Sequence, residues 1–114
     1  MGLTAEMIRG HNDAIILSVL EVKDSYGYQI NKDIESLSEG LLILTEATLY
    51  TALKRLAKLG YIISYWEEGL NNIQRKYYSI TTAGKEYLEQ EKINWGKSYY
   101  VLSKFLGGNN GKQD

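Results

Sequence analysis

The residues most suited to a chemical role lie in the segment TEATLYTALKRLAKLG, residues 45–60. Leu49, Leu53 and Leu56 fall within about 80° of arc at helical spacing, so one face of a helix is expected to be buried. The opposite face carries small, hydroxyl-bearing and basic side chains: Ala47, Tyr50, Thr51, Lys54 and Lys58. Hydroxyl and ammonium groups bind phosphates and base edges of nucleic acids. The segment therefore predicts a helix that lies on a nucleic acid, although an ordinary solvated helix face has the same composition.

Positive charge is concentrated in two places along the chain. The formal net charge is only −1, so a nucleic-acid-binding protein of this composition must segregate its basic residues. Residues 21–40 contain five acidic residues and two lysines. Residues 45–58 carry Lys54, Arg55 and Lys58 against one acidic residue, Glu46, and Arg75 and Lys76 form a second basic pair. This pair suits phosphate contacts, which make affinity fall steeply with salt. Small residues near the start of the helix, Ala47 and Thr48, allow its backbone to approach a duplex closely.

Catalysis and metal binding have little support in the sequence. The chain has no cysteine, which excludes disulfides and thiolate chemistry, and its single histidine, His11, cannot form a histidine-rich metal site. No nucleotide-binding glycine motif occurs. Glu67 and Glu68 are expected at a solvated hairpin tip, where nothing would tune them for acid–base work. We therefore expect neither an enzyme nor a bound cofactor or metal.

The N-terminal half predicts three helices. The first covers residues 5–22 with Thr4 as its cap, and the second covers residues 26–37. The inner side of the second helix is expected to hold Tyr26, Ile30, Ile34 and Leu37. Gly27 is a weak helix former, so a neighbour is expected to pack closely there. LLIL at 41–44 is read as a brief strand or an extended lead-in. Thr45 caps the third helix, which ends at Leu59 before Gly60.

The C-terminal half predicts a β-hairpin and one long helix. Residues 61–68 and 72–80 alternate like strands around GLNN, in which Gly and Asn favour positive φ. Thr82 is expected to cap a helix that runs to about Leu106. The predicted fold is mainly α with a small β-hairpin (α+β), a winged helix-turn-helix followed by a dimerisation helix. The corresponding ranges are a DNA-binding domain at 1–80, the C-terminal helix at 81–106 and a disordered tail at 107–114.

The long helix carries an apolar stripe that has little of its own domain to cover it. Its residues are Leu88, Trp95, Tyr99, Leu102 and Leu106. Exposed, these side chains would form a large adhesive patch. We expect them to pack against a second copy, with Ile8 and Ile15 of the first helix joining the interface. A homodimer would match paired half-sites on DNA. The alternative is that the helix folds back on its own domain.

Three stretches resemble the PadR family of bacterial transcriptional regulators: YGYQI at 26–30, EATLYTALKRLAKLGYI at 46–62 and RKYYSITTAGKEYL at 75–88. The single C-terminal helix is similar to the smaller subfamily. The resemblance implies a cytoplasmic, dimeric winged-helix repressor that binds a double-stranded DNA operator. It implies DNA contacts from the reading helix and the wing, at Thr48, Tyr50, Lys54, Arg75 and Lys76. Thr51 is added to these DNA contacts from helical spacing alone. Tyr26 and Tyr28 match tyrosines beside the DNA-facing side of the second helix.

Trp95 is similar in position to a tryptophan of the multidrug-sensing members of that family. There, two symmetry-related tryptophans flank a pore at the dimer centre. The resemblance implies a site for a small aromatic or lipophilic ligand, lined by Met7, His11, Ala14, Leu88, Lys92, Trp95 and Tyr99. Alternatively, Trp95 is only an interface residue and the centre is closed. Lys92 departs from the pattern, and its side chain would either repel cationic ligands or fill the pore.

The wing reads NNIQRKYY where family members often have glycines, so Ile73 and Gln74 change its tip. The apolar runs are too short to span a bilayer, so no membrane partner is expected. A winged-helix module that binds another protein and no DNA remains the alternative function.

Overall fold

The computed structural model describes Ile8 and residues 10–107. These residues form four helices and a small sheet, as the sequence predicted: mainly α with a β-hairpin. A 3₁₀ turn at Leu70–Asn72 joins the last two strands. The elements in chain order are α1 Asn12–Val22, β1 Ser25–Tyr26, α2 Gly27–Leu37, α3 Glu46–Lys58, β2 Ile62–Glu68, β3 Gln74–Ile80 and α4 Thr82–Leu106.

The hydrophobic core lies between α1, α2, α3, the sheet and the first turns of α4. Leu49, Leu53 and Leu56 of α3 are at most 1% exposed, so the inner face predicted for this helix is confirmed. They pack with apolar side chains from every other helix and from β2: Ile16, Leu17, Leu20, Ile30, Ile34, Ile62 and Leu88. Burial of these side chains holds α3 in place by its inner face and leaves its outer face free.

The sheet is antiparallel, with β3 between β1 and β2. The short strand β1 was not predicted, because Tyr26 was assigned to the second helix. Its backbone instead pairs with β3, so that Tyr26 lies opposite Tyr77, which in turn lies opposite Tyr65 on β2. The three rings form a ladder, with centroids 5.2 Å apart for Tyr26 and Tyr77 and 5.8 Å apart for Tyr77 and Tyr65. The ladder joins the wing hairpin to the segment that leads into α2.

Helix boundaries differ from the prediction at two places. The first helix begins at Asn12, because Gly10 has φ +90° and cannot continue a helix towards the N-terminus. The predicted residues 5–7 and the Thr4 cap lie outside the described residues. The cap of α4 is Thr81 and not Thr82: its hydroxyl accepts a hydrogen bond from the Gly84 N–H at 3.0 Å and donates one to the Gly60 carbonyl at 2.7 Å.

The structure of the loops and helix ends agrees with the prediction at some residues and differs from it at others. Thr45 caps α3 as predicted, accepting from the Thr48 N–H at 3.1 Å. Asn71 and Asn72 both have φ +60°, as expected for the hairpin turn, whereas Gly69 has φ −98°. LLIL forms no strand, and its burial alternates, with Leu42 and Leu44 buried. Leu37 was expected inside but is 76% exposed at the end of α2.

The C-terminal half of α4 extends beyond the core. Trp95 is 57% and Phe105 80% exposed, so this part of the helix does not fold back on its own protomer. The helix ends at Leu106 and is followed by Gly107, which has φ +69°. Residues 108–114 of the predicted tail lie outside the described residues. Among the described helices, none combines the length and apolar character needed to cross a bilayer. The predicted boundary between residues 80 and 81 stays a prediction.

Candidate nucleic-acid interface

The outer face of α3 is open to solvent along its length. Thr48, Tyr50, Thr51 and Lys54 are all exposed, and Tyr50 retains 47% of its surface. The Thr48 hydroxyl accepts a hydrogen bond from the Thr45 hydroxyl at 3.0 Å, so both hydroxyls lie at the helix start. The positive end of the helix dipole is there as well. This arrangement suits an approach by a negatively charged backbone.

Five of the eight residues predicted to bind DNA line one hollow of 320 Å³. They come from four elements: Tyr26 from β1, Tyr28 from α2, Tyr50 from α3, and Arg75 and Lys76 from β3. Gly27 and Tyr78 complete the lining. Thr48, Thr51 and Lys54 are not part of this lining and lie on the adjacent face of α3. The hollow therefore combines phenol rings and two cations, a combination suited to phosphate and sugar groups.

Tyr50 is held against the backbone of α2. A methyl group on Gly27 would lie 2.0 Å from the Tyr50 Oη and 2.6 Å from its Cζ. Since real side chains do not approach so closely, only glycine leaves Tyr50 in this position. The close packing expected at Gly27 is thus confirmed. The contact links α2 to the outward face of α3.

The basic side chains of this surface lie over aromatic rings. The guanidinium carbon of Arg75 is 4.6 Å from the Tyr26 ring centroid, and Lys76 Nζ is 6.0 Å from that of Tyr78. Lys32 Nζ is 5.7 Å from the Tyr28 ring. Such cation–π contacts orient a cation without neutralising it. Lys32 was missed in the sequence, although its spacing of four residues from Tyr28 within a helix is a recognisable signal.

Tyr65 and Tyr77 were also missed, because their roles depend on strand register. The Tyr65 hydroxyl donates a hydrogen bond to the Asp24 carboxylate at 2.6 Å. This bond raises the pKa of Tyr65 to about 12, with smaller contributions from burial and from nearby charges. Burial likewise raises the pKa of Tyr78. Both phenols therefore stay protonated at neutral pH.

Arg55 does not belong to the outward cationic surface. Its guanidinium donates two hydrogen bonds to the Asp13 carboxylate on α1, including one from Nε at 3.1 Å. This pairing raises the pKa of Arg55. The ion pair joins α3 to α1, and its charge is already balanced. Lys54 and Lys58 remain as the outward-facing cations of α3.

A second, larger hollow of 570 Å³ lies between α1 and α4. It includes most of the residues predicted for the ligand: His11, Ala14, Leu88, Lys92 and Trp95. Tyr99 lines the adjoining hollow, and its ring stacks on Trp95 with centroids 5.4 Å apart. Met7 lies outside the described residues. Leu88 is only 2% exposed and belongs to the protomer's own core.

The charge of Lys92 is balanced within the protomer. Its Nζ lies 3.2 Å from the Glu21 carboxylate and 3.5 Å from that of Glu89, and the bond to Glu21 raises the pKa of Lys92. Glu91 also lines the hollow. Lys92 is thus drawn towards two acids and adds little net positive charge here. Across the described residues, no group of His, Cys, Asp or Glu is arranged to hold a metal ion.

Comparison with known proteins gives a consistent result. Residues 16–90 match the sequence profile of the Transcriptional regulator PadR-like family. An uncharacterized protein from Lysinibacillus sphaericus is 36% identical over 104 residues, which cover 91% of this chain and 95% of that protein. The transcriptional regulator YqjI of Escherichia coli is 31% identical over 85 residues, which cover 73% of this chain but 39% of YqjI.

Solved structures resemble the whole fold. A transcriptional regulator from Clostridium thermocellum has a TM-score of 0.81 at 44% identity, covering 88% of this chain and 97% of that one. A PadR family regulator from Clostridium difficile has a TM-score of 0.75 at 41% identity, with 85% and 99% covered. A PadR-like regulator from Bacillus cereus has a TM-score of 0.77 at 27% identity, with 94% and 99% covered.

The contact between Gly27 and Tyr50 can be tested by a double-mutant cycle. Gly27→Ala should lower the free energy of unfolding by about 1 kcal/mol, because the new methyl group displaces the Tyr50 ring. In a Tyr50→Ala background the same substitution should be neutral or stabilising, since alanine stabilises a helix by about 1 kcal/mol relative to glycine. Urea denaturation of the four proteins gives both values. Equal effects in the two backgrounds would contradict the contact.

Proposed function

The chain belongs to the PadR-like family of transcriptional regulators, and from this premise we propose that it is a cytoplasmic repressor that binds a palindromic operator as a homodimer. In this proposal α3 enters the major groove, and the hairpin of β2 and β3 lies on the flanking backbone. Repression follows because the bound dimer occupies promoter DNA. A small aromatic ligand at the dimer centre relieves it.

The observation that supports DNA binding most strongly is the convergence of four elements on one hollow. Tyr26, Tyr28, Tyr50, Arg75 and Lys76 are far apart in sequence but line the same space. None of these side chains contributes a buried apolar group to the core. The two cations would contact phosphates and fix the register of α3 in the groove. Thr51 and Lys54, on the exposed face of α3, would then reach base edges or further phosphates.

Dimerisation is supported by the exposed half of α4. Trp95, Tyr99, Leu102 and Leu106 are 46–78% exposed in the protomer. They lie on one side of the helix, and burial against a second copy would remove this apolar surface from water. Ile8 and Ile15 are partly buried beside the hollow between α1 and α4 and extend the same surface. A two-fold axis through this region would place two copies of α3 for paired half-sites.

The ligand proposal rests on the hollow between α1 and α4. In a dimer, the stacked pair of Trp95 and Tyr99 would face its symmetry mate across the axis. Flat aromatic compounds bind between such rings by stacking, and cations gain further attraction. Because Lys92 is paired with Glu21 and Glu89, its charge is a weaker barrier to cations than the sequence suggested. Glu91 adds negative charge to the lining.

Relief of repression requires that the ligand distinguish two dimer geometries. A ligand between the copies shifts the distance between the two α3 helices only to the extent that it binds one spacing better. A dimer in which the distance between the two α3 helices does not match the helical repeat of DNA cannot place both of them in successive major grooves.

DNA binding is tested by mobility shift with DNA upstream of the chain's own coding sequence. Tyr50→Ala and Lys54→Ala should each weaken binding by about tenfold. Lys54→Ala should also make the slope of log affinity against log salt shallower, by about one for each phosphate contact that is lost. Lys97→Ala removes the same charge from an exposed site on α4 and should leave the slope unchanged. If neither the wild-type protein nor any variant formed a complex with this DNA at low salt, DNA binding would be rejected. A protein-interaction module would then be favoured.

Dimerisation is tested by sedimentation equilibrium. Leu102→Asp places a carboxylate in the proposed interface and should weaken self-association by about a hundredfold, because burying an unpaired charge is costly. Leu37→Asp makes the same change at another exposed leucine, on α2, and should not affect assembly. A wild-type chain that stays monomeric at all accessible concentrations would contradict the proposal.

The ligand site is tested by fluorescence titration with planar dyes. In a Trp66→Phe background Trp95 is the only tryptophan, so a bound dye should quench its emission in a saturable manner. Cationic dyes should bind better than anionic dyes of similar size, and Glu91→Gln should reduce the difference. Unchanged Trp95 emission with every dye would indicate a closed dimer centre.

A further inference from the structure

Trp66 is an exposed aromatic residue to which neither the core nor the sites described above give a role. It lies on β2 near the tip of the wing and is 63% exposed. β2 is an edge strand, since the sheet order is β1, β3, β2. A large apolar side chain this exposed on a small wing is more typical of a contact surface than of a folding requirement.

The register of the hairpin shows which way the indole faces. Trp66 lies directly opposite Lys76, and Ser64 lies opposite Tyr78. Because successive side chains alternate between the two faces of a sheet, Trp66, Lys76 and Tyr78 share one face. Lys76 and Tyr78 line the same hollow as Tyr50. The indole therefore continues the surface of that hollow towards the tip of the wing.

The neighbouring acidic residues limit the extent of this surface. Glu67 lies opposite Arg75 on the other face of the hairpin, whereas Glu68 lies opposite Gln74 on the same face as Trp66, one residue pair closer to the tip. A carboxylate there would repel a phosphate. Trp66 and Lys76 thus form the outermost pair on this face that favours a polyanion.

We propose that Trp66 is a DNA-contacting residue, whose indole lies against the deoxyribose and phosphate groups that border the minor groove next to the α3 site. The inference rests on the proposed DNA binding and assigns a further residue to it. The apolar ring covers sugar carbons, and the indole N–H donates a hydrogen bond to a phosphate oxygen. Once covered, the phosphate beside Lys76 loses water, which strengthens its attraction to the ammonium group.

The contribution of an indole differs from that of a lysine in its dependence on salt. Trp66→Ala should weaken binding of the dimer to its upstream duplex by about tenfold, yet leave the slope of log affinity against log salt unchanged, because no charge is removed. Lys76→Ala should lower affinity and also make the slope shallower, by about one for each protomer bound. Trp66→Phe should recover part of the loss, since its ring still covers the sugar.

Ile63→Ala is the matched control for Trp66→Ala. Ile63 is 58% exposed on the same strand but, being opposite Ser79, lies on the other face, where the pair of Tyr65 and Tyr77 separates it from Arg75. Its removal should therefore leave DNA affinity unchanged. Circular dichroism and thermal melting of each variant report folding. In a Trp95→Phe background that still binds the duplex in the mobility shift, emission of Trp66 should shift or quench on adding the duplex.

The possible outcomes separate this inference from the function on which it rests. Wild-type protein that never binds DNA overturns the proposed function and the contact together. Wild-type protein that binds, with folded Trp66→Ala binding equally well, overturns the Trp66 contact alone. If Trp66→Ala fails to fold, Trp66→Phe and the emission of Trp66 decide, and emission that is insensitive to DNA overturns the contact.

Discussion

The fixed position of α3 on the core is the constraint on which the remaining structure depends. Leu49, Leu53 and Leu56 are buried almost completely, which orients the helix about its own axis. The ion pair between Arg55 and Asp13 then joins it to α1 at a second point. Exposed ion pairs add little free energy, so the pair fixes orientation more than stability. With its inner face held in this way, α3 must present Tyr50, Thr51 and Lys54 to solvent.

α4 serves two purposes at its two ends. Its first turns belong to the core, through Leu88, and are capped by Thr81, whose hydroxyl also bonds to Gly60 just after α3. Its last turns project into solvent with apolar side chains on most sides. A partner that packs on the C-terminal half of α4 is therefore connected, through this helix, to the core beside α3. In the proposed dimer, packing near Trp95 therefore determines where each α3 lies.

The sequence predicted those features that depend on local chemistry. Periodicity located α3 and its inner leucines, Thr45 identified its cap, and alternation located the hairpin. The errors arise where the outcome depends on distant parts of the chain. β1 exists because Tyr26 pairs with Tyr77, and a two-residue strand has no periodicity to detect. Thr81 and Thr82 are chemically equivalent as caps, and only the position of Gly60 distinguishes them.

In the candidate site as well, local chemistry could be predicted and tertiary contacts could not. Tyr50, Lys54, Arg75 and Lys76 were predicted because hydroxyl and basic groups on an outward face are visible in sequence. The partners of the basic groups were not, since rings placed beneath Arg75 and Lys76 depend on tertiary packing. Arg55 illustrates the converse: its type and position resemble those of Lys54, but the Asp13 carboxylate on α1 removes it from the outward surface.

The ladder of Tyr26, Tyr77 and Tyr65 has a mechanical consequence. It joins the start of α2 to both strands of the wing, and the hydrogen bond from Tyr65 to Asp24 ties the wing to the segment after α1. Since Tyr50 of α3 also packs on Gly27, direct contacts join α2, α3 and the wing to one another. In the proposed function, a signal that changes binding to a duplex would therefore have to move these elements together, because bending one of them away from the others would break several aromatic contacts at once.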